Sequence, residues 1–144
     1  MGIFIASNIR DISGILYILN VYAPYKERES FWETMEATGI LHSPSLILDG
    51  DLNCTLGIEE LWGQSRVVDK MAQTLWDIIF SHNLIDICPP KSAPTWDNGR
   101  SGNNYIAKRL DIFLVQEIMV KKMGAVRSLI IENYVSDHHP ITLF

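Results

Sequence analysis

The pattern of apolar and polar positions predicts two β-strands near the start of the chain. Residues 2–6 form a short apolar run, and residues 15–22 are rich in strand-forming side chains and end before Pro24. Turn-forming residues occupy positions 8–14 between the two runs. The pattern therefore indicates a β-hairpin whose second strand, apolar along nearly all of its length, is central in a sheet.

Three later segments have helical character. In residues 27–38, apolar side chains recur at helical spacing, charges fill the other face, and Gly39 is a stop signal. Residues 67–82 carry the clearest apolar stripe, which indicates a helix packed on the core. One or two further helical turns are predicted over residues 116–123.

The other apolar segments predict short strands separated by polar loops. They cover residues 46–48, 84–87, 95–96, 108–115, 126–131 and 140–144. The polar residues at 97–104 are typical of a hairpin turn. Strands that alternate with helices and hairpins indicate an α/β or α+β fold with mixed sheets flanked by helices.

Composition narrows the class of protein. With 144 residues and 47% hydrophobic side chains, the chain has the size of one domain and can form a packed core. No apolar run reaches the roughly 18 residues needed to cross a bilayer, and the N-terminus lacks the features of a signal peptide. We therefore expect an intracellular protein that does not bind membranes. Cys54 and Cys88 have no metal-ligand spacing and are interpreted as small buried hydrophobes.

The charge distribution leaves two interpretations open. A net charge of −5 argues against strong sequence-independent binding of nucleic acid. Residues 91–127, however, hold seven basic and three acidic side chains. These basic residues could form a local patch or a scatter of solvated charges, and charge alone favours the scatter.

Three polar clusters interrupt apolar strands and carry the candidate chemistry. They are Asp49-Gly-Asp51-Leu-Asn53, Arg109-Leu-Asp111 and Ser136-Asp-His138. Carboxylates suit a hard cation such as Mg²⁺, a histidine paired with a carboxylate can transfer protons or hold a phosphate oxygen, and an asparagine can orient a phosphate. Together these residue types indicate hydrolysis of a phosphate ester. Each cluster alone is also explained by a turn, a salt bridge or a capped loop.

The order of five sequence blocks resembles the endonuclease/exonuclease/phosphatase (DNase I-like) family. The blocks are Asn20-Val-Tyr-Ala-Pro24, Leu48-Asp-Gly-Asp-Leu-Asn53, Thr95-Trp96, Arg109-Leu-Asp111, and Ser136-Asp-His138 followed by Pro140. The chain is particularly similar to the endonuclease domains of plant long interspersed element (non-LTR) retrotransposons. The resemblance implies a DNase I-like β-sandwich of mixed sheets flanked by helices, phosphodiester hydrolysis with Mg²⁺ or Mn²⁺, and DNA as the partner.

The resemblance also implies roles for individual residues. Tyr22 would contact the scissile phosphate, Asp51 would position or activate the attacking water, and Asn53 would donate a hydrogen bond to the phosphate. Asp111 would orient His138, the catalytic histidine.

Further roles concern the metal and the walls of the site. Asp137 would lie at or next to the metal, and Asp51 would be a second ligand. Trp96 is expected to be a core residue or a pocket wall beside the substrate rather than a residue that stacks on a base. Arg109 is expected to brace the substrate site through a carboxylate. For Asp49 we expect a turn-stabilising role.

One feature of the family has no counterpart in the sequence. The family places a metal-binding Glu on strands before the block that begins at Asn20, but residues 1–19 contain no Glu. We therefore expect residues 1–144 to be the C-terminal portion of a truncated domain that lacks the N-terminal strands. Such a domain would have weak or no activity and could self-associate through exposed sheet edges.

Three alternatives remain open at this point. The chain could be a non-catalytic relic that binds nucleic acid or protein. It could be an active phosphodiesterase in which Asp11, Asp49 or a partner chain replaces the missing Glu, or a phosphatase-type member of the same superfamily. A nuclear location would follow if the ancestral role is retained.

Overall fold

The computed structural model describes residues 2–8, 15–64, 66–132 and 135–144. The strands in these ranges are β1 (Gly2–Asn8), β2 (Ile15–Tyr22), β3 (Leu46–Asp51), β4 (Leu61–Gly63), β5 (Leu84–Asp86), β6 (Trp96–Asp97), β7 (Ile106–Lys108), β8 (Asp111–Gln116), β9 (Ser128–Ile130) and β10 (Ile141–Leu143). The helices are α1 (Arg28–Ala37), α2 (Ala72–Ser81) and α3 (Glu117–Met123).

The main sheet has five strands in the order β1-β2-β3-β8-β5. β1 and β2 form the predicted antiparallel hairpin, and β2 also pairs in parallel with β3, so the apolar second strand is internal as predicted. β8 lies antiparallel between β3 and β5. The predicted turn between β1 and β2 lies mostly outside the described residues, and so does Asp11.

Side chains pack on both faces of this sheet. One face, with Leu48 and Leu114, packs against Trp32 of α1 and Leu75 of α2. The opposite face packs against α3 and β10 through a second cluster that includes Val115. Burial on two faces explains why the central strands are apolar at successive positions rather than at alternate ones.

The strand predicted over residues 108–115 is correct from Asp111 onward and wrong before it, because the structure divides this segment between two sheets. Lys108 ends β7 in the three-stranded sheet β4-β7-β6, and Asp111 begins β8 in the main sheet. The hydroxyl of Thr95 accepts the N–H groups of Leu110 and Asp111, which interrupts the regular ladder where the chain crosses. β9 and β10 form a separate antiparallel pair.

Helix α2 begins five residues later than predicted. Asp69 accepts the N–H of Met71 at 2.9 Å and pairs with Arg28 at 2.7 Å. These two contacts hold residues 67–71 out of the helix, so the apolar stripe extends beyond the helix that it predicted. The other two helices lie where the sequence placed them. Within the described ranges, no helix combines the length and apolar character that crossing a membrane requires.

The prediction of two buried cysteines is correct for only one of them. Cys54 is buried, and burial raises the pKa of its thiol to about 12. Cys88 is exposed in the loop after β5, where its thiol donates to Asp86 at 3.2 Å.

Candidate active site

Three neighbouring strands bring polar side chains into register at one end of the main sheet. Tyr22 of β2 lies opposite Asp51 of β3, and Asp51 lies opposite Asp111 of β8. Residues that lie directly opposite each other project from the same face of a sheet. The register therefore places Tyr22, Asp51 and Asp111 side by side, although they are far apart in sequence.

His138 joins this row from the loop before β10. Its Nδ1 lies 3.0 Å from Asp111 Oδ2, and its Nε2 lies 3.9 Å from Asp51 Oδ2. The imidazole is therefore placed between two carboxylates. The contact with Asp111 at Nδ1 directs Nε2 toward Asp51, and this is an arrangement that acid–base chemistry can use.

Burial raises the pKa of Asp51, and the nearby charge of Asp111 acts in the same direction. The N–H of Asn53, which donates to Asp51 Oδ1 at 2.8 Å, and the charge of His138 oppose the rise. A carboxyl group with a raised pKa is a better proton acceptor once it is ionised.

The turn after β3 depends on glycine and on the amide of Asn53. Gly50 has φ +124°, and a Cβ atom at this position would lie 2.1 Å from the carbonyl oxygen of Val21. Asn53 has φ +48°, and its side-chain amide donates to the carbonyl oxygen of Ala23 at 2.7 Å. Because that NH₂ group carries two hydrogens, the bond to Ala23 leaves one hydrogen for another acceptor.

Thr95 connects the two partners of the histidine–carboxylate pair. Its buried hydroxyl accepts the N–H of Asp111 at 2.9 Å, and its carbonyl oxygen accepts the N–H of His139 at 2.7 Å. Thr95 therefore fixes the backbone beside both Asp111 and His138. The sequence pointed to Thr95 only as part of a block, because a buried threonine is usually interpreted as core.

Asp137 extends toward the indole of Trp96. Its Oδ2 accepts the Trp96 Nε1–H at 3.0 Å, and this hydrogen bond lowers the pKa of Asp137. Ser136 accepts the N–H of His138 at 3.1 Å, which shapes the loop that presents both residues. The structure therefore brings Trp96 and Asp137 into direct contact beside His138.

Arg109 lies beneath the site rather than at its surface, with only 3% of the residue exposed. Its guanidinium group contacts both carboxylate oxygens of Asp86 and donates to Glu60 at 2.6 Å. Burial acts to lower the pKa of Arg109, but Asp86 and Glu60 outweigh it and raise the value. A direct contact with substrate would require this buried ion pair to open, whereas bracing requires no change.

The row of polar residues opens into a cleft of about 400 Å³. Six residues singled out from the sequence line it, namely Tyr22, Asp51, Asn53, Trp96, Asp137 and His138. Asp111 supports His138 from the neighbouring strand. The order of the sequence blocks along the chain therefore predicted a set of side chains that the fold does bring together.

Four polar or aromatic residues that the sequence analysis did not assign line the same cleft. These are Tyr25, Arg28, Asp69 and Lys108. Arg28 donates to Asp69 at 2.7 Å and to the carbonyl oxygen of Asn53 at 2.9 Å. No local pattern distinguishes Arg28 from the other charges of α1, because its partner Asp69 is 41 positions away.

The carboxylates supply oxygen donors of the kind that Mg²⁺ prefers, but they do not converge on one point. In the part of the chain that the structure describes, no three His, Cys, Asp or Glu side chains are grouped so that they could hold a metal ion. Asp49 accepts the side-chain amide of Asn20 at 2.9 Å, and its other oxygen is buried with no hydrogen-bond partner. Burial raises the pKa of Asp49. The described residues therefore have the donor chemistry for a magnesium site but do not complete one.

Comparison with known proteins gives a family match and two similar folds. A family model described as endonuclease-reverse transcriptase matches residues 16–142. The endonuclease domain of TRAS1, a telomere-specific non-LTR retrotransposon, matches with a TM-score of 0.73 and 20% identity, covering 99% of this chain and 62% of that chain. The 3′ phosphatase NExo from Neisseria, bound to a product DNA hairpin, matches with a TM-score of 0.68 and 18% identity, covering 98% of this chain and 63% of that chain.

These matches confirm the predicted fold, in which mixed sheets flanked by helices form a DNase I-like arrangement. The chain spans less than two thirds of the length of each of these two structures. No curated protein matches the sequence.

Proposed function

Because the chain belongs to the endonuclease-reverse transcriptase family, we propose that it is a DNase I-like hydrolase that cuts phosphodiester bonds in DNA. The observation that carries this proposal is the placement of His138 between Asp111 and Asp51, at distances of 3.0 Å and 3.9 Å. The three residues come from β3, β8 and the loop before β10, so the fold alone brings them together.

In the proposed reaction, a water molecule attacks the phosphorus and transfers a proton to Asp51. The raised pKa of Asp51 suits this role, because a more basic carboxylate takes the proton more readily. The bond between phosphorus and the leaving sugar oxygen breaks, and that oxygen takes a proton from solvent. His138, held by Asp111, donates a hydrogen bond to a phosphate oxygen on which negative charge accumulates.

Other cleft residues bind the phosphate and the nucleoside in this proposal. Asn53 donates its second amide hydrogen to a phosphate oxygen. Tyr22, 62% exposed at the end of β2, reaches the same phosphate through its hydroxyl. Trp96 forms the wall beside the leaving group. Arg109 acts from beneath by holding the chain that leads to Asp111.

We propose Mg²⁺ or Mn²⁺ as the cofactor, with Asp51 and Asp137 as the ligands that this chain contributes. A bound cation would neutralise charge on the phosphate. Asp137 already accepts the indole N–H of Trp96, and Asp51 faces His138, so a cation competes with existing contacts. We therefore propose that the cation binds weakly and that this chain cleaves DNA slowly.

The first test is nicking of supercoiled plasmid DNA with Mg²⁺ present. The proposal predicts nicking that His138→Ala and Asp51→Asn both abolish. The same proteins, given an oligonucleotide with a 3′-phosphate, test the phosphatase alternative, because release of inorganic phosphate without nicking would replace the endonuclease assignment.

A purely charge-based role in DNA binding has less support from the structure. Of the basic residues in the segment 91–127, Arg109 is buried with its carboxylate partners and Lys121 pairs with Glu117 at 2.8 Å. Lys108 lies in the cleft. These three residues therefore do not form one patch, and Lys108 is the one of the three that lies where it can meet a phosphate in the cleft.

We also propose self-association through the β9–β10 pair. Leu129, Ile131 and Phe144 lie on or next to these strands and are about half exposed. Apolar side chains on a two-stranded sheet favour pairing with another copy. A sedimentation coefficient that increases with protein concentration would support this proposal if the Leu129→Lys variant does not show that increase. A monomer at all concentrations would contradict it.

A further inference from the structure

Tyr25 has no part in the reaction proposed above, although it is the most exposed aromatic residue of the cleft, with 79% of the residue exposed. Together with Arg28 it lines the cleft. The same two residues also line a neighbouring open groove of about 340 Å³, to which Lys70 belongs. Tyr25 therefore stands on the ridge between the catalytic cleft and this groove.

The ridge is fixed at both ends by the turn that carries Asn53. The amide of Asn53 donates to the carbonyl oxygen of Ala23 at 2.7 Å, and Arg28 donates to the carbonyl oxygen of Asn53 at 2.9 Å. The N–H of Ala23 donates to the carbonyl oxygen of Asp51 at 2.8 Å. The short segment that carries Tyr25 is therefore tied on both sides to the catalytic turn. The backbone beside Tyr25 therefore needs little reordering when a ligand binds.

The charges on the two sides of the ridge differ. On the cleft side, the carboxylates of Asp51, Asp69 and Asp137 outnumber the basic groups of Arg28 and Lys108, so a phosphate binds there together with the cation proposed above. On the groove side, Glu27 and Glu29 lie close to Arg28 and Lys70, so a phosphate there would meet as many negative groups as positive ones. The uncharged part of a nucleotide fits beside Tyr25 better than its phosphate does.

We infer that Tyr25 stacks on the base next to the phosphate held in the cleft, so that the site selects a DNA strand unpaired at that position. This inference rests on the proposed function. An exposed aromatic ring next to a phosphate site is a general means of binding single-stranded nucleic acid, because every base has a π-face. In a duplex both faces of a base are already stacked, and presenting one to Tyr25 requires the base to leave the stack.

The experiment is a binding titration with Mg²⁺ present, recorded over a time much shorter than the slow cleavage proposed above. Fluorescence anisotropy is recorded for a labelled DNA strand of about ten nucleotides and for the same strand in a duplex, with wild-type protein, Tyr25→Ala and Tyr25→Phe. Phe80→Ala is the matched control, because Phe80 is also highly exposed but lies on α2 and lines neither the cleft nor the groove.

The inference predicts that wild-type protein prefers the single strand. Tyr25→Ala should weaken single-strand binding roughly tenfold, which corresponds to the loss of one base–aromatic stack. Tyr25→Phe and Phe80→Ala should leave it nearly unchanged. Three results would each overturn the inference. Wild-type protein could bind strand and duplex with equal affinity, or fail to bind the single strand. Tyr25→Ala and Phe80→Ala could also weaken single-strand binding equally.

Failure of this inference can be distinguished from failure of the proposed function. The stacking role alone would be overturned if wild-type protein nicks plasmid DNA but Tyr25→Ala binds single strands as tightly as wild type does. Binding to single strands that depends on Tyr25, in a protein that never nicks DNA, would support the stacking role and contradict the endonuclease assignment.

Discussion

The hydroxyl of Thr95 holds the backbone of Asp111 by accepting its N–H at 2.9 Å. The same oxygen accepts the N–H of Leu110 at 2.9 Å, and the carbonyl oxygen of Thr95 accepts the N–H of His139. The hydroxyl of this one buried residue thus marks the crossing between two strands, and its backbone carbonyl aligns the segment that carries His138 with them.

Replacing Thr95 with valine tests this role. Valine has a similar shape but leaves the buried N–H of Leu110 and the partly buried N–H of Asp111 without this acceptor, so we expect the free energy of unfolding to fall by about 2–4 kcal/mol. Thr95→Ser keeps the hydroxyl, so its free energy of unfolding should fall much less. Denaturation in urea measures both variants. Equal stability of the valine and serine variants would show that the hydroxyl does not hold Asp111.

Gly50→Ala should be strongly destabilising. The added methyl group would lie 2.1 Å from the carbonyl oxygen of Val21, and φ is +124° there, so we expect a loss of about 3 kcal/mol or more. Gly99→Ala is the matched control, because Gly99 also has positive φ (+63°) but has no neighbouring atom within 4 Å. The control should lose about 1 kcal/mol. Thermal unfolding of both variants measures their losses of stability. Similar losses in Gly50→Ala and Gly99→Ala would contradict the close approach of β3 to β2.

Arg109→Met should destabilise the protein by about 3–5 kcal/mol at pH 7, because it leaves the Glu60 and Asp86 carboxylates buried without their countercharge. Lys121→Met is the control: Lys121 forms an exposed pair with Glu117, and its loss should change stability by less than about 0.5 kcal/mol.

The destabilisation by Arg109→Met should decrease in acid. Burial raises the pKa of Glu60 in the folded protein, Arg109 opposes that rise, and removal of Arg109 therefore raises this pKa further. The folded variant then takes up a proton at a higher pH than its unfolded chain does. Its stability relative to wild type should rise as the pH falls from neutral toward 4.5, the ordinary value for a glutamate. Urea denaturation across this pH range provides the test. A stability difference between wild type and Arg109→Met that grows as the pH falls would contradict the prediction.

Asp51→Asn should increase stability while it removes activity. The pKa of Asp51 is raised above 3.8 by burial, so the ionised carboxylate is disfavoured in the folded protein at neutral pH. Asparagine can still accept the N–H of Asn53 but carries no charge. We expect a gain of about 1 kcal/mol at pH 7, as is common when a catalytic charge is neutralised.

The gain from Asp51→Asn should disappear as the pH falls through the raised pKa of Asp51 toward 3.8, because the wild-type carboxyl group then becomes neutral as well. Thermal unfolding at several pH values tests this. A gain that is independent of pH would show that the charge of Asp51 is not its cause.

Elements whose apolar pattern is local fold as the sequence predicts. The apolar run 15–22 became the internal strand β2, and the predicted stop signal Gly39 lies just beyond the end of α1. Asp51 and His138 were assigned to one site through the family resemblance of the sequence blocks, and the structure places Asp51 Oδ2 3.9 Å from His138 Nε2.

Contacts between distant residues account for what the sequence did not predict. The pairing of Asp69 with Arg28 delays the start of α2, and the hydroxyl of Thr95 divides the strand predicted over 108–115. The buried pairing of Arg109 with Glu60 spans 49 positions. Side chains this far apart produce no periodicity or local motif, so only the assembled structure reveals them.

The most direct test of the account is nicking of supercoiled plasmid DNA in Mg²⁺ by four proteins: wild type, Asp51→Asn, His138→Ala and His139→Ala. His139 is the control, because it follows His138 directly but its ring lies beside Asp97 and does not line the cleft. We predict slow nicking by wild type and His139→Ala, and none by Asp51→Asn or His138→Ala. Nicking by His138→Ala at the wild-type rate, or no nicking by a folded wild-type protein, would contradict the assignment of this cleft as an active site.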